Sequence, residues 1–239
     1  MTDQSDSIRE IRINPIVPSE SVLVSTARGM RLCKDEAPAF CDICKHVDRC
    51  LFCTGNEHLI LLTVVVFLVI GNWEVRVVEN LYPVLGDDST SSNLVFGLQQ
   101  AIDGYGRHEV IIDHPQHGIA MQDMSEAHLV RLVSMYRDRD RALYAADERI
   151  QYVLVFKNFG PAAGASIPHT HSQVIAIPVV PETVYNEVVH SRHYFEKNRQ
   201  CIFCSLIDEA LTFEATIYDR ESGSVRRKIN VWRLARDQL

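Results

Sequence analysis

One stretch, Lys157 to Pro181 (KNFGPAAGASIPHTHSQVIAIPVVP), leaves this chain the least structural freedom. Its apolar run Val174-Ile175-Ala176-Ile177 reads as a buried strand closed by Pro178 and Pro181. Side chains two apart on a strand share a face, so His169, His171 and Gln173 project together while Thr170 and Ser172 point away. Upstream, Gly160, Ala162, Ala163, Gly164 and Ala165 carry little side-chain bulk. Such a turn lets backbone N–H groups approach a phosphate closely, although it is neither a Walker loop nor a dinucleotide fingerprint. Two histidines at i and i+2 are often no more than half-buried strand residues. With an amide beside them and a small-residue turn before them, they point to a covalent phosphoryl or nucleotidyl site.

The 239 residues suffice for one large domain or two small ones. A net charge of −7 gives no basic footprint, so no nucleic-acid partner is expected. A nucleotide remains a possible ligand, because local arginines suffice for its phosphates. The N-terminal MTDQSDSIREIR is polar and acidic, unlike a signal or transit peptide, which places the protein in the cytoplasm. Leu59 to Ile70 is the one membrane-like run, about a dozen residues where a spanning helix needs roughly 20. It reads as buried core, and no membrane partner is expected.

Six of the seven cysteines form Cys-x2-Cys pairs: Cys41/Cys44, Cys50/Cys53 and Cys201/Cys204, with Cys33 single. Without a secretory signal, metal binding or reduced thiols are favoured over disulfides. The spacing suits zinc, because the turn brings two thiolates to one tetrahedral ion. Two arrangements stand open: a knuckle of Cys41, Cys44, Cys50 and Cys53, or one pair completed by distant histidines.

Elsewhere, alternation around Ile11 and Val22-Leu23-Val24 predicts a two-stranded hairpin within 8–32. Residues 73–83 predict a strand turning at Pro83, and the Ser-rich stretch 85–99 a loop. Leu129, Leu132, Val133, Tyr136 and Leu143 recur at helical period from an N-cap at Ser125. Tyr152–Phe156 reads as a core strand leading to Asn158 and the active turn, and 182–197 as a mixed helix.

The segment GPAAGASIPHTHSQ resembles the active-site string of the galactose-1-phosphate uridylyltransferase family, the transferase branch of the histidine-triad (HIT) superfamily. That family carries His-Pro-His-x-Gln where the hydrolases have His-x-His-x-His. Here Thr170 stands in the proline slot and Gln173 in the discriminating last one. Further segments are similar to the family: Arg28-x-x-Arg31 after the hairpin, Cys50-Leu-Phe-Cys53-Thr-Gly-Asn-Glu, Trp73-x-Val-Arg with Asn80 and Pro83, and Gly106-x-His-Glu-Val with Pro115-x-His117. The resemblance covers roughly residues 8–210. It implies an α+β, HIT-like fold, mainly antiparallel sheet with packed helices. It further implies an N-terminal domain over 1–198 and, over 199–239, the start of a truncated or divergent second half. Most of that second half is expected to be missing.

The same resemblance implies the chemistry. His171 is the expected nucleophile on the α-phosphorus of a nucleotide-sugar, since neutral imidazole forms a reactive N–P bond. Gln173 is expected to donate to phosphoryl oxygens without titrating, with Ser166, Arg28 and Arg31 holding phosphates and Asn80, Asn158 and Gly164 binding substrate. Cys50, Cys53, His117 and His169 are the implied ligands of a structural zinc, with His114 a neighbouring rival to His117. Glu187 falls where the family places a carboxylate on a second metal, but its histidine partners are missing and that metal is not expected. The implied reaction moves a UMP group between a nucleotide-sugar and a hexose 1-phosphate in a homodimer. Two alternatives stand beside it: a nucleotide-sugar or dinucleoside-polyphosphate phosphorylase or HIT hydrolase, and a zinc-stabilised nucleotide-binding module with little turnover.

Overall fold

A computed structural model describes residues 8–16, 19–26, 45–59, 63–69, 72–88, 93–160, 163, 165 and 167–212. They fall into two compact units, one ending at Pro181 and one beginning at Glu182. Among the described residues the first holds every strand: β1 (Arg9–Ile13), β2 (Ser21–Ser25), β3 (Thr63–Val69), β4 (Asn72–Glu79), β5 (Asn93–Phe96), β6 (Gln99–Asp103), β7 (Arg107–Ile112), β8 (Tyr152–Phe156) and β9 (His171–Ile177). Two sheets result, a five-stranded one in the order β3-β4-β7-β9-β8 and a four-stranded one in the order β2-β1-β6-β5. Every strand pair is antiparallel. With its helices this is the α+β, mainly antiparallel architecture expected, including the β1–β2 hairpin.

Strand β9 is buried along all seven residues, which explains its unbroken apolar run. Its two faces meet different neighbours. Val174 and Ala176 pack with Val75, Val77 and Ile111 beneath helix α1 (Glu126–Ala146), whose Leu132, Met135 and Leu143 close that core. Ile175 and Ile177 face the other way, onto Ile11, Val84 and Leu85. The Ser125 hydroxyl accepts from the His128 N–H at 3.3 Å, capping α1 as its sequence predicts. Arg139 pins α1 to β7 through both oxygens of the buried Glu109, at 2.9 and 2.7 Å. Gly106, with φ +148°, sits so close to β9 that an added Cβ would lie 2.2 Å from the Ala176 carbonyl oxygen.

Three expectations are corrected. In the run Leu59–Ile70 the described part is not buried core: strand β3 is the edge of the sheet, and Phe67 and Leu68 are 38% and 63% exposed. An apolar run looks the same on an edge as in the middle of a sheet, because covering depends on what packs over it. Within 85–99, Asn93–Phe96 is a strand, not a loop, folding back on β6 around Gly97-Leu98 with Gly97 at φ +65°. A two-residue turn with glycine in its first central place suits the twist of a hairpin. On α1, Val133 lies 57% exposed, and Met135 takes its place in the core. Tyr152–Phe156 forms the opposite sheet edge, β8, with Val153 inside and Leu154 outside.

A register shift shapes β4. Phe67 pairs with Val75 but Leu68 with Trp73, so Glu74 has no partner on β3. The bulge turns Trp73 away from the face of Val75 and Val77 and toward the cluster of Cys50, Phe52 and Cys53.

The second unit contains α2 (Glu182–Asn198), none of whose side chains is buried, and α3 (Ile202–Thr212). Glu187 lies on α2, and Cys201 and Cys204 are exposed at the start of α3. Among the described residues no helix is long and apolar enough to cross a membrane.

Candidate active site and metal centre

The Cys50–Glu57 turn is built by its own motif residues. Cys53 N–H donates to the Cys50 carbonyl at 3.3 Å and Asn56 N–H to the Cys53 carbonyl at 3.1 Å. The Asn56 amide reaches back to the Cys50 carbonyl at 2.8 Å. Gly55 takes φ +93°, and Glu57 ties its N–H at 2.9 Å to the Trp73 indole at 2.6 Å. The bulge in β4 is what brings that indole within reach.

The turn places two thiols against two imidazoles. Cys50 Sγ lies 3.6 Å from His169 Nδ1, and Cys53 Sγ lies 3.5 Å from His117 Nδ1 and 3.6 Å from His169 Nδ1. All four ligand atoms fall within 4.8 Å of one another, and all four residues are buried. His114, the rival, is elsewhere engaged: its Nδ1 accepts from Gln116 N–H at 3.0 Å and its ring lies tilted against that of His128, centroids 4.4 Å apart. Cys33, Cys41 and Cys44 lie outside the described residues.

Protonation favours ligation. His169 Nε2 donates to the His114 carbonyl at 2.7 Å, which leaves Nδ1 with a free lone pair facing the thiols. Burial holds the His169 imidazole down at about 4 and also lowers His117, so both rings are neutral near pH 7. The Cys50 thiol is pushed up to about 12 by burial, with Cys53 beside it adding to the rise. Buried thiolates at this place require a cation.

His171 follows one strand step on. Its Nδ1 donates to the His169 carbonyl at 2.8 Å, so the unprotonated nitrogen is Nε2. The Phe52 ring stands 5.2 Å from the His171 ring and 6.0 Å from that of His169. The Cys50–Glu57 turn thereby packs against the His171 ring as well as that of His169.

Gln173 is held by a residue the sequence reading passed over. Val84 N–H donates to His108 Nδ1 at 3.1 Å, so neutral His108 carries its proton on Nε2 and donates it to Gln173 Oε1 at 3.0 Å. That turns the Gln173 carbonyl toward His108 and leaves the amide N–H groups for another acceptor. The Asn80 amide nitrogen also lies 3.0 Å from His108 Nε2, and its oxygen accepts from Tyr82 N–H at 2.9 Å. Asn80 and Gln173 therefore meet at one imidazole. The Gly-x-His-Glu-Val pattern carried the signal, since alternation puts His108 on the face of Val110 and Ile112.

Thr170 and Ser172 do point away, but into a polar network. Both hydroxyls donate to Asp113 Oδ2 at 3.2 Å, and Lys157 Nζ reaches the same oxygen at 2.5 Å. The Tyr136 hydroxyl lies 2.6 Å from Ser172 Oγ. Burial, with the Asp113 charge next to it, keeps that phenol protonated, well above its ordinary value. Asn158 is half-buried at the exit of β8, and Ala163 and Ala165 N–H both donate to the Gly160 carbonyl at 3.2 Å in the turn beyond it. Arg28, Arg31, Gly164 and Ser166 lie outside the described residues.

Residues 74–181, which hold β4, β7, β9 and the histidine string, match the family profile "Galactose-1-phosphate uridyl transferase, N-terminal domain". Over these residues the chain is similar to the N-terminal domain of the galactose-1-phosphate uridylyltransferase family. Among relatives of that family, ADP-glucose phosphorylase of Arabidopsis thaliana is 33% identical over 215 residues, covering 85% of this chain and 60% of the relative. Galactose-1-phosphate uridylyltransferase of Thermotoga maritima is 28% identical over 213 residues, with 89% and 60% covered. A crystal structure of the Arabidopsis ADP-glucose phosphorylase with bound ADP-glucose superposes with a TM-score of 0.57 at 32% identity, over 82% of this chain and 57% of that one. A uridylyltransferase structure at 24% identity has a TM-score of 0.61 and supports the fold alone. The chain spans about 60% of the length of these curated relatives.

Proposed function

We propose that the protein is a nucleotidyltransferase acting on nucleotide-sugars, with His171 as the covalent nucleophile. The single observation that carries this is the His171 imidazole, which shares a face of β9 with Gln173 and holds its Nδ1 2.8 Å from the His169 carbonyl, so that in the neutral ring the basic nitrogen is Nε2. Nε2 attacks the α-phosphorus, an N–P bond forms, and the P–O bond to the sugar 1-phosphate breaks, the leaving oxygen keeping the electron pair. No proton has to move. Positive charge growing on the ring is met by the Nδ1–H···O=C bond, and the Gln173 N–H groups, aimed by His108, stabilise the phosphoryl oxygens. In the second step a hexose 1-phosphate oxygen takes the UMP group and the imidazole leaves. Gln173 does not titrate, so it gives water no general base and favours transfer over hydrolysis. Arg28, Arg31 and Ser166 as phosphate ligands, Asn80, Asn158 and Gly164 as substrate contacts, and a homodimer belong to the same proposal.

The Cys50, Cys53, His117 and His169 cluster fits zinc. Tetrahedral bonds of zinc's usual lengths put sulfur and nitrogen about 3.6 Å apart, and the three sulfur–nitrogen separations here are 3.5, 3.6 and 3.6 Å. Four protein ligands make it a structural ion, which when bound neutralises the thiolates and fixes the turn bearing Phe52.

A second reading has inorganic phosphate as the acceptor, which makes the enzyme a phosphorylase. The 33% identity to ADP-glucose phosphorylase favours it. One experiment tests both. The metal-loaded protein is incubated with UDP-glucose or ADP-glucose and weighed by mass spectrometry, then offered hexose 1-phosphate, phosphate or buffer. The expected result is a nucleotidyl adduct on His171, absent in His171→Ala and discharged by one acceptor faster than by water. Binding of nucleotide with no adduct from either donor refutes the nucleophile and leaves a binding module.

A further inference from the structure

Thr170 stands between the metal ligand His169 and the nucleophile His171, in the slot where the resembled core has a rigid proline. We propose that Thr170, Lys157 and Asp113 form a positioning clamp that supplies this rigidity through hydrogen bonds and so aims His171. The inference rests on the reading of His171 as nucleophile.

The hydrogen-bond accounting carries it. Lys157 Nζ has three protons and three acceptors: Asp113 Oδ2 at 2.5 Å, Thr170 Oγ1 at 2.7 Å and the His171 carbonyl at 3.2 Å. The Thr170 hydroxyl accepts from Lys157 and gives its one proton to Asp113 Oδ2 at 3.2 Å. Asp113, which has no solvent exposure, also donates its backbone N–H to the Thr170 carbonyl at 3.2 Å. The carbonyls of residues 170 and 171 are thus both held, one by Asp113 and one by Lys157. These two peptide groups flank the His171 Cα, so its side-chain direction is set from both sides. The ring's remaining freedom is removed by its own bond to the His169 carbonyl.

The three clamp residues come from the ends of three neighbouring strands: Asp113 follows β7, Lys157 follows β8 and Thr170 precedes β9. His128 Nε2 donates to the Asp113 carbonyl at 2.6 Å and adds α1 to the assembly. Loss of the Thr170 hydroxyl removes one acceptor from a half-buried ammonium and one donor from a buried carboxylate. The lysine is then freer to leave the His171 carbonyl.

The test compares Thr170→Val, similar in shape but without the hydroxyl, with Thr170→Ser, which keeps it. Both are made in the full chain loaded with one metal. Long-range proton–nitrogen NMR should show native His171 and Thr170→Ser in a single tautomer, protonated at Nδ1, and Thr170→Val averaging between two. In single turnover, with whichever of UDP-glucose and ADP-glucose labels the native protein, Thr170→Val should form the adduct about tenfold more slowly at saturation, the loss of one hydrogen bond of ordinary strength. Its half-saturating concentration should stay within about twofold of native, because the clamp touches no substrate. Thr170→Cys, with a weak donor, should be intermediate, and it carries the comparison if the valine variant does not fold. The proposal is overturned if valine keeps the native tautomer and rate, or if serine fails as valine does. Absence of any adduct in the native protein refutes the nucleotidyl reading instead, and the tautomer comparison still decides the clamp.

Discussion

Phe52→Ala tests whether the Cys50–Glu57 turn and His171, the proposed nucleophile, are mechanically one object. Phe52 is 5% exposed and packs against the rings of both His169 and His171. Truncating a buried phenylalanine to alanine destabilises a protein by about 3–5 kcal/mol, and the lower end applies because the ring lies in a small cluster and keeps some exposure. At about 3 kcal/mol, a unit of this size should lose roughly 6–12 °C in melting temperature. The four ligand side chains are untouched, so metal stoichiometry should hold near one. Phe52→Leu, which refills most of the volume, should recover all but about 1 kcal/mol. Urea unfolding in saturating metal gives the free energies, with an unchanged slope showing that the same surface is exposed. Adduct formation at His171 should fall in step, since the imidazole has lost the ring it packs against. The reasoning is refuted if Phe52→Ala unfolds within 1 kcal/mol of native, or if it matches native in adduct rate despite being destabilised.

Three further outcomes are expected. Gln173→Ala should label on the order of 10²–10³ more slowly, as for the loss of one oriented donor, and Gln173→His should raise the share of free nucleoside monophosphate, measured by product partitioning. Cys50→Ser should release the metal and lower stability while Cys41→Ser leaves metal content unchanged by elemental analysis; the reverse pattern would favour the four-cysteine knuckle. The His114 imidazole is held down at about 4 by burial, with His128 adding to the effect, and His169 is likewise at about 4. Both are neutral when folded and take a proton near 6.5 when unfolded, so their contribution is complete above about 6.5 and is lost as pH falls toward 4. Urea midpoints between pH 7.5 and 4.5 should show this loss, and His114→Asn should flatten part of the slope.

Much of the site was legible because its spacing is short-range. The two-residue period of a strand puts His171 and Gln173 on one face, and the Cys-x2-Cys turn needs only local hydrogen bonds to present its thiols. The gathering of Cys50, Cys53, His117 and His169 was implied by resemblance, not by period, since those residues meet from three parts of the chain. Asp113, Lys157 and His108 were passed over for the same reason. Alternation tells which way a side chain points but not what stands opposite, and each of these three acts through a neighbour on another strand. The misplacement of Leu59–Ile70 has the same origin, because apolar content does not tell an edge strand from a covered one.

The alternation along β9 also determines how this site can fail. Pairing with β7 and β8 fixes one alignment, with His171 opposite Ile112, and Gly106 lets the two backbones come close where the pairing starts. Sliding β9 by a single residue would exchange its faces, sending Thr170 and Ser172 to the side of Ile175 and Ile177 and His171 and Gln173 under α1. Side-chain replacements therefore weaken one task at a time, whereas a one-residue insertion or deletion inside β9 would displace His171, Gln173 and the buried anchors in a single event.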